Sequence, residues 1–267
     1  MNVFLKPSSR GENDAANKSR EEFLASLWAR EPLDEDERGL QEELRRSLHL
    51  IAPGEYTKVE LIRKGGRGYN YDFDAVYTGG TTKKIEFKYG CSSLDKLPQF
   101  LSLSVKQFLP EFIPFWWSRL EDYIACDEGI TCPKPSLEEY TQGVVSIQSA
   151  HPFFQQLKER EHVSKREKHK VVNDAIRDFL QPIQTVPMEY LQQRVAEQQD
   201  KCFFLWNKKM TVDGFREQDV RNLQFHSVTK NCILITSDGA MYKLLLRWRN
   251  HKGILNPAWQ ISVKRKL

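Results

Sequence analysis

Residues 70–90 read NYDFDAVYTGGTTKKIEFKYG and alternate charged with large apolar side chains on both sides of a Gly-Gly pair. This alternation predicts a β-hairpin in which each strand has one charged face and one buried face. Asp72 and Asp74 fall on the first strand, and Glu86 and Lys88 on the second. Because residues two apart share a face of a strand, each pair points to one side.

The register of the hairpin decides whether these charges meet. We predict that Asp74 pairs with Glu86, which leaves residues 79–81 as a three-residue loop in which a glycine can take a positive φ. A two-residue Gly-Gly turn would instead place Asp74 opposite Ile85 and put the charges on opposite faces. A shared charged face therefore requires an odd-numbered loop or a bulge.

Two explanations of the charged face remain open. Acids at alternate positions repel one another unless a cation lies between them, and Mg²⁺ and Mn²⁺ prefer such carboxylate oxygens. The alternative is a solvated hairpin face with ordinary Glu–Lys cross-strand pairs, each worth about 0.2–1 kcal/mol. In that case the apolar face alone would form the core.

The flanking segments predict further elements around the hairpin. Residues 36–51 place Leu40, Leu44, Leu48 and Ile51 on one stripe of a helix. Residues 56–66 predict a first strand, and residues 94–108 predict a helix after the hairpin, with Pro98 in its first turn.

A helix followed by three strands, with an acid on the second strand and Glu-x-Lys on the third, resembles the PD-(D/E)xK nuclease superfamily. The resemblance spans about residues 36–108, although the family's proline is absent because Phe73 precedes Asp74. It implies an α/β fold with a restriction-endonuclease-like αβββαβ core and a mixed central sheet. A helical segment and a β-rich C-terminal portion would follow this core.

The resemblance also implies the roles of the charged residues. Asp74, Glu86 and the main-chain carbonyl of Phe87 would hold Mg²⁺ or Mn²⁺, and Lys88 would orient or help to deprotonate the attacking water. The implied activity is metal-dependent hydrolysis of phosphodiester bonds in DNA by a restriction-like or repair-type endonuclease. The further candidates are Glu43 on the preceding helix, Asp72 in place of Asp74, and Gln99 early in the following helix.

The C-terminal segment predicts a polyanion as partner. From Gly239 onward the chain has seven Lys and Arg residues and no acid. We expect nucleic acid, with DNA favoured over RNA, to contact Arg247, Arg249, Lys264 and Arg265 through its phosphates. The alternative is a solvated basic strand pair, and the sequence leaves the oligomeric state open, a homodimer included.

Composition narrows the class of protein. The 267 residues are 40% apolar and 28% charged, which is typical of a globular protein. No apolar run approaches the ~20 residues of a membrane span. Residues 1–18 are too polar for a signal peptide, and the five cysteines show no zinc spacing, so we expect an intracellular protein of the cytoplasm or nucleus.

We predict four segments along the chain. Residues 1–30 form an N-terminal arm with a short helix around 19–30, and residues 31–150 form the nuclease-like core with a fourth strand at 143–147. Residues 151–200 form a helical segment. Residues 201–267 form a β-rich basic portion with strands near 202–206, 231–236, 241–248 and 258–265. Whether this last portion extends the central sheet stays open.

Two other functions remain, namely an inactive nucleic-acid-binding module and a protein-interaction scaffold around the aromatic residues 112–117.

Overall fold

The computed structural model describes residues 13–54, 58–64, 69–145, 151–248 and 257–266. The chain divides into two compact units. The first combines the chain up to Leu97 with Arg194–Glu217, and the second combines Pro98–Gln193 with Gln218–Leu267. Both units are therefore built from two separate stretches, and their limits differ from the predicted boundaries at residues 31, 150 and 201.

Two helices open the first unit, α1 (Asn13–Ala29) and α2 (Glu35–Ile51). The carboxylate of Asp34 caps α2 by accepting a 2.8 Å hydrogen bond from the backbone N–H of Glu37. The apolar stripe of α2 is buried, which confirms the predicted helix. The short helix predicted at 19–30 is longer, because it begins at Asn13.

The first unit contains a mixed five-stranded sheet. Its strands are β1 (Val59–Arg63), β2 (Phe73–Tyr77), β3 (Thr82–Tyr89), β5 (Lys201–Asn207) and β6 (Lys209–Asp213), in the order β1-β2-β3-β5-β6. Neighbouring strands run antiparallel except β3 and β5, which are parallel. The unit is therefore α/β, and the predicted strand at 202–206 extends this sheet.

One face of this sheet packs against α1 and α2. The apolar residues of the hairpin form the centre of this core, since Phe73, Ala75 and Ile85 are almost completely buried. Side-chain hydrogen bonds fix the helices to the sheet: the Tyr77 hydroxyl donates to the carbonyl of Leu48 (2.6 Å), and the Trp28 indole donates to the carbonyl of Val59 (2.9 Å). The opposite face of the hairpin is left for its charged residues.

The second unit has an antiparallel five-stranded sheet and its own helices. The sheet order is β4-β10-β9-β8-β7, with β4 at Leu101–Ser104, β7 at Gln224–Thr229, β8 at Cys232–Thr236, β9 at Ala240–Trp248 and β10 at Pro257–Arg265. The helices are α3 (Phe112–Ile124), α4 (Leu137–Val145), α5 (Pro152–Glu159) and α6 (Lys165–Leu180). The chain passes between the units three times, at Leu97–Pro98, within α7 (Met188–Ala196) and within α8 (Glu217–Val220).

The aromatic segment 112–117 forms the first half of α3. Phe112, Ile113 and Trp116 are buried in the core of the second unit. Trp117 donates its indole N–H to the carbonyl of Pro135 at 3.0 Å. These rings therefore stabilise the unit, and the apolar surface on which the scaffold hypothesis depended is largely buried.

Two predicted elements are wrong. The segment predicted as a helix at 94–108 contains a 3₁₀ turn (Leu94–Lys96) and β4, in which Leu101 and Leu103 are buried while Ser104 is exposed. The side chains of this segment alternate between buried and exposed with a period of two, which is typical of a strand, and Pro98 does not begin a helix. The strand predicted at 143–147 is also wrong where it is described, because residues 143–145 end α4; residues 146 and 147 lie outside the described residues.

The remaining predicted elements are confirmed. Helices α5, α6 and α7 occupy the predicted helical segment, and β5, β8, β9 and β10 occupy the four predicted C-terminal strands. Only β5 joins the first sheet, whereas the other three belong to the second. Among the described residues, no helix is both long enough and apolar enough to cross a membrane.

Candidate active site

The hairpin has the predicted kind of loop but not the predicted register. Phe73 pairs with Ile85, and Asp74 with Lys84. The loop is Thr78–Gly80, because the N–H of Tyr77 already bonds to the carbonyl of Thr81 (2.9 Å). Gly80 has a φ of +86°, so the glycine occupies the last loop position, where a left-handed residue closes a three-residue hairpin. The predicted pairing of Asp74 with Glu86 is therefore wrong.

Asp72 is the acid that lies beside Glu86. The observed register brings the residue before β2 next to β3. The Asp72 carboxylate accepts a 2.8 Å hydrogen bond from the backbone N–H of Phe87, and its own N–H donates to the carbonyl of Ile85 at 2.9 Å. These two bonds fix Asp72 to β3, and its carboxylate lies next to the Glu86–Lys88 pair.

Glu86 lies between two lysines. The Lys88 ammonium donates a hydrogen bond to one Glu86 oxygen. The Lys201 ammonium lies 3.5 Å from the other oxygen and also donates to the carbonyl of Asn70. The side chain of Lys201 is 3% exposed, whereas that of Lys88 is 30% exposed. Lys88 is thus the lysine of the site that solvent or a ligand can reach.

The electrostatics of the cluster follow from this crowding. Burial and the charge of Glu86 raise the pKa of Asp72 to about 7, although Lys88 opposes the shift. Burial favours a lower pKa for Lys88, but the carboxylates of Glu86 and Asp72 outweigh it and raise that pKa. Burial lowers the pKa of Lys201, against the attraction of Glu86. Burial is therefore the largest single influence on the pKa of each of these groups, and the neighbouring charges modify it.

The acid that α1 and α2 supply is Glu21, not Glu43. Burial raises the pKa of Glu21 on α1. The charge of Lys88 lowers this pKa and that of Glu86 raises it, so Glu21 lies near the cluster. Arg63 forms an ion pair with Glu21 at 3.4 Å. Glu43 instead accepts a 2.6 Å hydrogen bond from the backbone N–H of Met210, which holds α2 against β6. The predicted role of Glu43 in the site is therefore not supported.

Two other predicted site residues lie elsewhere. Asp74 shares the charged face with Glu86 but lies opposite Lys84, and its carboxylate is 3.4 Å from the Lys64 ammonium. Gln99 lies just before β4, not on a helix, and belongs to the second unit. The structure therefore brings Asp72, Glu86 and Lys88 together, with Lys201 and Glu21 as neighbours that the sequence does not predict.

The oxygen ligands of the cluster suit a divalent cation. Among the described residues, no group of three or more His, Cys, Asp and Glu side chains is arranged to hold a metal ion. Asp72 and Glu86 nevertheless supply two hard oxygen ligands, and Mg²⁺ retains several waters and is often held by only one or two carboxylates. A cation would also offset the charge of Glu86, which adds to the effect of burial in raising the pKa of Asp72. The residues therefore fit Mg²⁺ or Mn²⁺, with Asp72 in the position predicted for Asp74.

The predicted nucleic-acid-binding residues are divided between two faces of the second sheet. Arg247 and Lys264 lie on the same face as Lys243, and the same-phase residues of β9 and β10 include no acid. Arg265 pairs with Ala240 and lies on the other face of the sheet. Arg249 lies outside the described residues. The basic face therefore contains Lys243, Arg247 and Lys264.

No protein-family model, curated protein or solved structure matches this chain. The residues of the site and the sheet that positions them are therefore the basis on which a function can be assigned.

Proposed function

We propose that this chain is a metal-dependent nuclease that hydrolyses phosphodiester bonds in DNA, of the restriction-like or repair type. The observation that carries the proposal is the convergence of Asp72, Glu86 and Lys88 where β2 and β3 meet. Two carboxylates and a reachable ammonium are the groups that phosphodiester hydrolysis with a divalent cation requires.

The arrangement of the first unit supports a restriction-endonuclease-like core. Two helices precede an antiparallel β1-β2-β3 meander, and β5 joins β3 in parallel. This order agrees with the mixed sheet of an αβββαβ core in which the first stretch of the second unit, Pro98–Gln193, is inserted between β3 and β5. Under this proposal, the acid before β2 and the Glu-x-Lys on β3 would occupy the positions that the superfamily uses.

Each side chain has a separate task in this proposal. Asp72 and Glu86 would hold Mg²⁺ or Mn²⁺, whose contribution when bound is to polarise the phosphate and activate water. Lys88 is positioned by Glu86 and would donate a hydrogen bond to the attacking water or to the phosphate, which offsets the developing negative charge. Lys201 holds the second oxygen of Glu86 and so fixes the carboxylate from β5.

Cleavage assays test the proposal directly. Plasmid DNA and labelled single-stranded, duplex and RNA oligonucleotides should be incubated with Mg²⁺, with Mn²⁺ or with EDTA. We expect DNA cleavage with either cation and none with EDTA. A protein that binds the oligonucleotides but cleaves none of them would support the inactive nucleic-acid-binding module instead.

The four predicted nucleic-acid-binding residues lead to a prediction about salt. Replacing Arg247, Arg249, Lys264 and Arg265 together by Gln should weaken DNA binding, because phosphate neutralisation releases counterions. The slope of log K against log salt should fall in magnitude by about 0.9 for each duplex phosphate that the protein no longer neutralises. The single variant Lys243→Gln should lower the magnitude of this slope by about 0.9, because Lys243 lies on the same face as Arg247 and Lys264. An unchanged slope in the fourfold variant would show that DNA lies across another surface.

A further inference from the structure

Two tyrosines and two lysines form a patch beside the candidate site, in which Tyr69 and Lys84 are exposed and Tyr71 and Lys64 are half-buried. The rings of Tyr69 and Tyr71 contact edge to face, with centroids 5.6 Å apart. The Lys64 ammonium lies 5.5 Å from the Tyr69 ring centre, and the Lys84 ammonium lies 5.8 Å from the Tyr71 ring centre. We call these four residues the tyrosine–lysine patch.

The backbone ties the patch to the catalytic carboxylates. Tyr71 immediately precedes Asp72, and the N–H of Lys64 donates a 2.7 Å hydrogen bond to the carbonyl of Asp72. Lys84 lies two residues before Glu86 on β3, on the same face of the strand. If a phosphate of the substrate lies at Asp72 and Glu86, the next one or two nucleotides of its chain would therefore lie over the patch.

Tyr69 is the more exposed of the two patch tyrosines. Tyr69 is 50% exposed and is one of the few large hydrophobic residues exposed in the described part of the chain. Its ring lies in the irregular segment before β2, where the sheet does not require a side chain to pack. An aromatic ring with an open surface, next to ammonium groups, offers a nucleobase a stacking partner and offers its phosphates a counter-charge.

Asp74 organises this patch. Its carboxylate lies 3.4 Å from the Lys64 ammonium, and after burial it is the main cause of the raised pKa of Tyr71. The only other acid that approaches the patch lysines among the described ion pairs is Asp200, whose carboxylate is 4.0 Å from Lys84 and highly exposed. An exposed pair of this kind contributes little, so a phosphate can compete for Lys84.

We propose that the tyrosine–lysine patch holds unpaired nucleotides of the substrate next to the scissile phosphate, so that the enzyme acts on single strands or on duplexes with single-stranded ends. This inference rests on the proposed nuclease function and specifies its substrate. A blunt duplex keeps its bases stacked within the helix, so its bases cannot stack on Tyr69, whereas an unpaired base can.

Binding assays in EDTA test this without cleavage. Fluorescence anisotropy should be measured with a single strand, a blunt duplex and a duplex carrying a single-stranded overhang. We expect the wild-type protein to bind the single strand and the overhang duplex more tightly than the blunt duplex. Tyr69→Leu should weaken binding of those two by about tenfold and leave the blunt duplex unchanged, since one base no longer has a ring on which to stack. Tyr69→Phe keeps the ring and should bind within about twofold of wild type.

A second pair of variants tests the lysines. Lys84→Met should lower the magnitude of the salt slope for the single strand by about 0.7, the value for one phosphate contact on single-stranded nucleic acid. Lys58→Met is the matched control, because Lys58 is an exposed lysine next to the same sheet, one residue before β1. Its salt slope should equal that of wild type.

The outcomes separate the patch from the activity. If the wild type cleaves DNA while Tyr69→Leu binds all three oligonucleotides as wild type does, the patch proposal is rejected and the nuclease proposal stands. A wild-type preference for blunt duplex would likewise reject the patch. Absence of both binding and cleavage by wild type would reject the two proposals together.

Discussion

Asp72→Asn should lower the rate of DNA cleavage by about 100-fold or more, whereas Asp74→Asn should lower it by less than about tenfold. The two residues share one phase of the strand, but only Asp72 lies against the Glu86–Lys88 pair, where its carboxylate is bonded to the backbone of Phe87. Loss of one electrostatic group from a catalytic site typically has an effect of this size. Cleavage of one oligonucleotide at saturating Mg²⁺ measures both variants.

Three controls make this comparison decisive. Glu86→Ala and Lys88→Ala should each lose about 100-fold or more, because they belong to the same cluster. The Asp72, Asp74 and Lys88 variants should keep the wild-type circular dichroism spectrum, since these residues lie off the apolar face of the hairpin. Glu86→Ala removes the anion beside the buried Lys201, so its spectrum should be recorded well below its melting temperature. Equal losses for Asp72→Asn and Asp74→Asn would contradict the assignment of Asp72 as the essential acid, and wild-type rates for Glu86→Ala and Lys88→Ala would place any activity elsewhere.

The hairpin shows how far sequence reasoning reaches. Alternation of charged and apolar side chains correctly predicts the strands, the buried face and the odd-numbered loop. The loop itself is shifted by one residue, because either glycine of the Gly79-Gly80 pair could provide the positive φ. That single shift moves every cross-strand partner by two residues and exchanges Asp74 for Asp72 beside Glu86. A local pattern determines which residues share a face, but only the closing glycine determines which of them are opposite.

Long-range neighbours cannot be predicted in this way. Lys201 follows Glu86 by 115 residues and meets it only because the chain returns from the second unit to place β5 beside β3. A single lysine before the apolar run CFFLW gives no sign of this contact. Glu21 escapes prediction for a similar reason, because the position of α1 depends on how it packs on β1 rather than on its own sequence. The same limit explains why the sequence favours Glu43, which flanks the apolar stripe of α2.

The second unit contains a buried ionic cluster that its sequence does not reveal. Asp127, just after α3, accepts hydrogen bonds from Arg160 at the end of α5 (2.6–3.0 Å) and from Lys168 of α6 (2.9 Å). The Asp127 and Lys168 side chains are only 1% and 2% exposed. The two basic residues lie in a run of mixed charges, KEREHVSKREKHK, which alone indicates a solvated helix. The three helices are therefore joined through one carboxylate.

Asp127→Asn should destabilise the second unit by about 3–5 kcal/mol at pH 7. The substitution leaves the buried Lys168 ammonium without its anion, and breaking one partner of a buried pair costs this much because the other charge remains desolvated. Asp178→Asn is the matched control: its partners Arg119 and Arg177 are exposed, so we expect a loss below about 1 kcal/mol. Urea unfolding followed by tryptophan fluorescence measures both changes, because Trp116 and Trp259 are buried in this unit.

The effect of Asp127 should also depend on pH in one direction. Hydrogen bonds from Arg160 and Lys168 hold the pKa of Asp127 well below its usual range, against the opposing effect of burial. A carboxylate with a depressed pKa in the folded state stabilises the fold above its unfolded pKa of about 3.9, and this contribution is lost as the pH falls toward the folded value. The difference in unfolding free energy between wild type and Asp127→Asn should therefore be constant from pH 7 to about 5 and shrink below about 4. A difference that stays constant down to about pH 3, or that grows, would show that the cluster does not stabilise the helices through the ionised carboxylate.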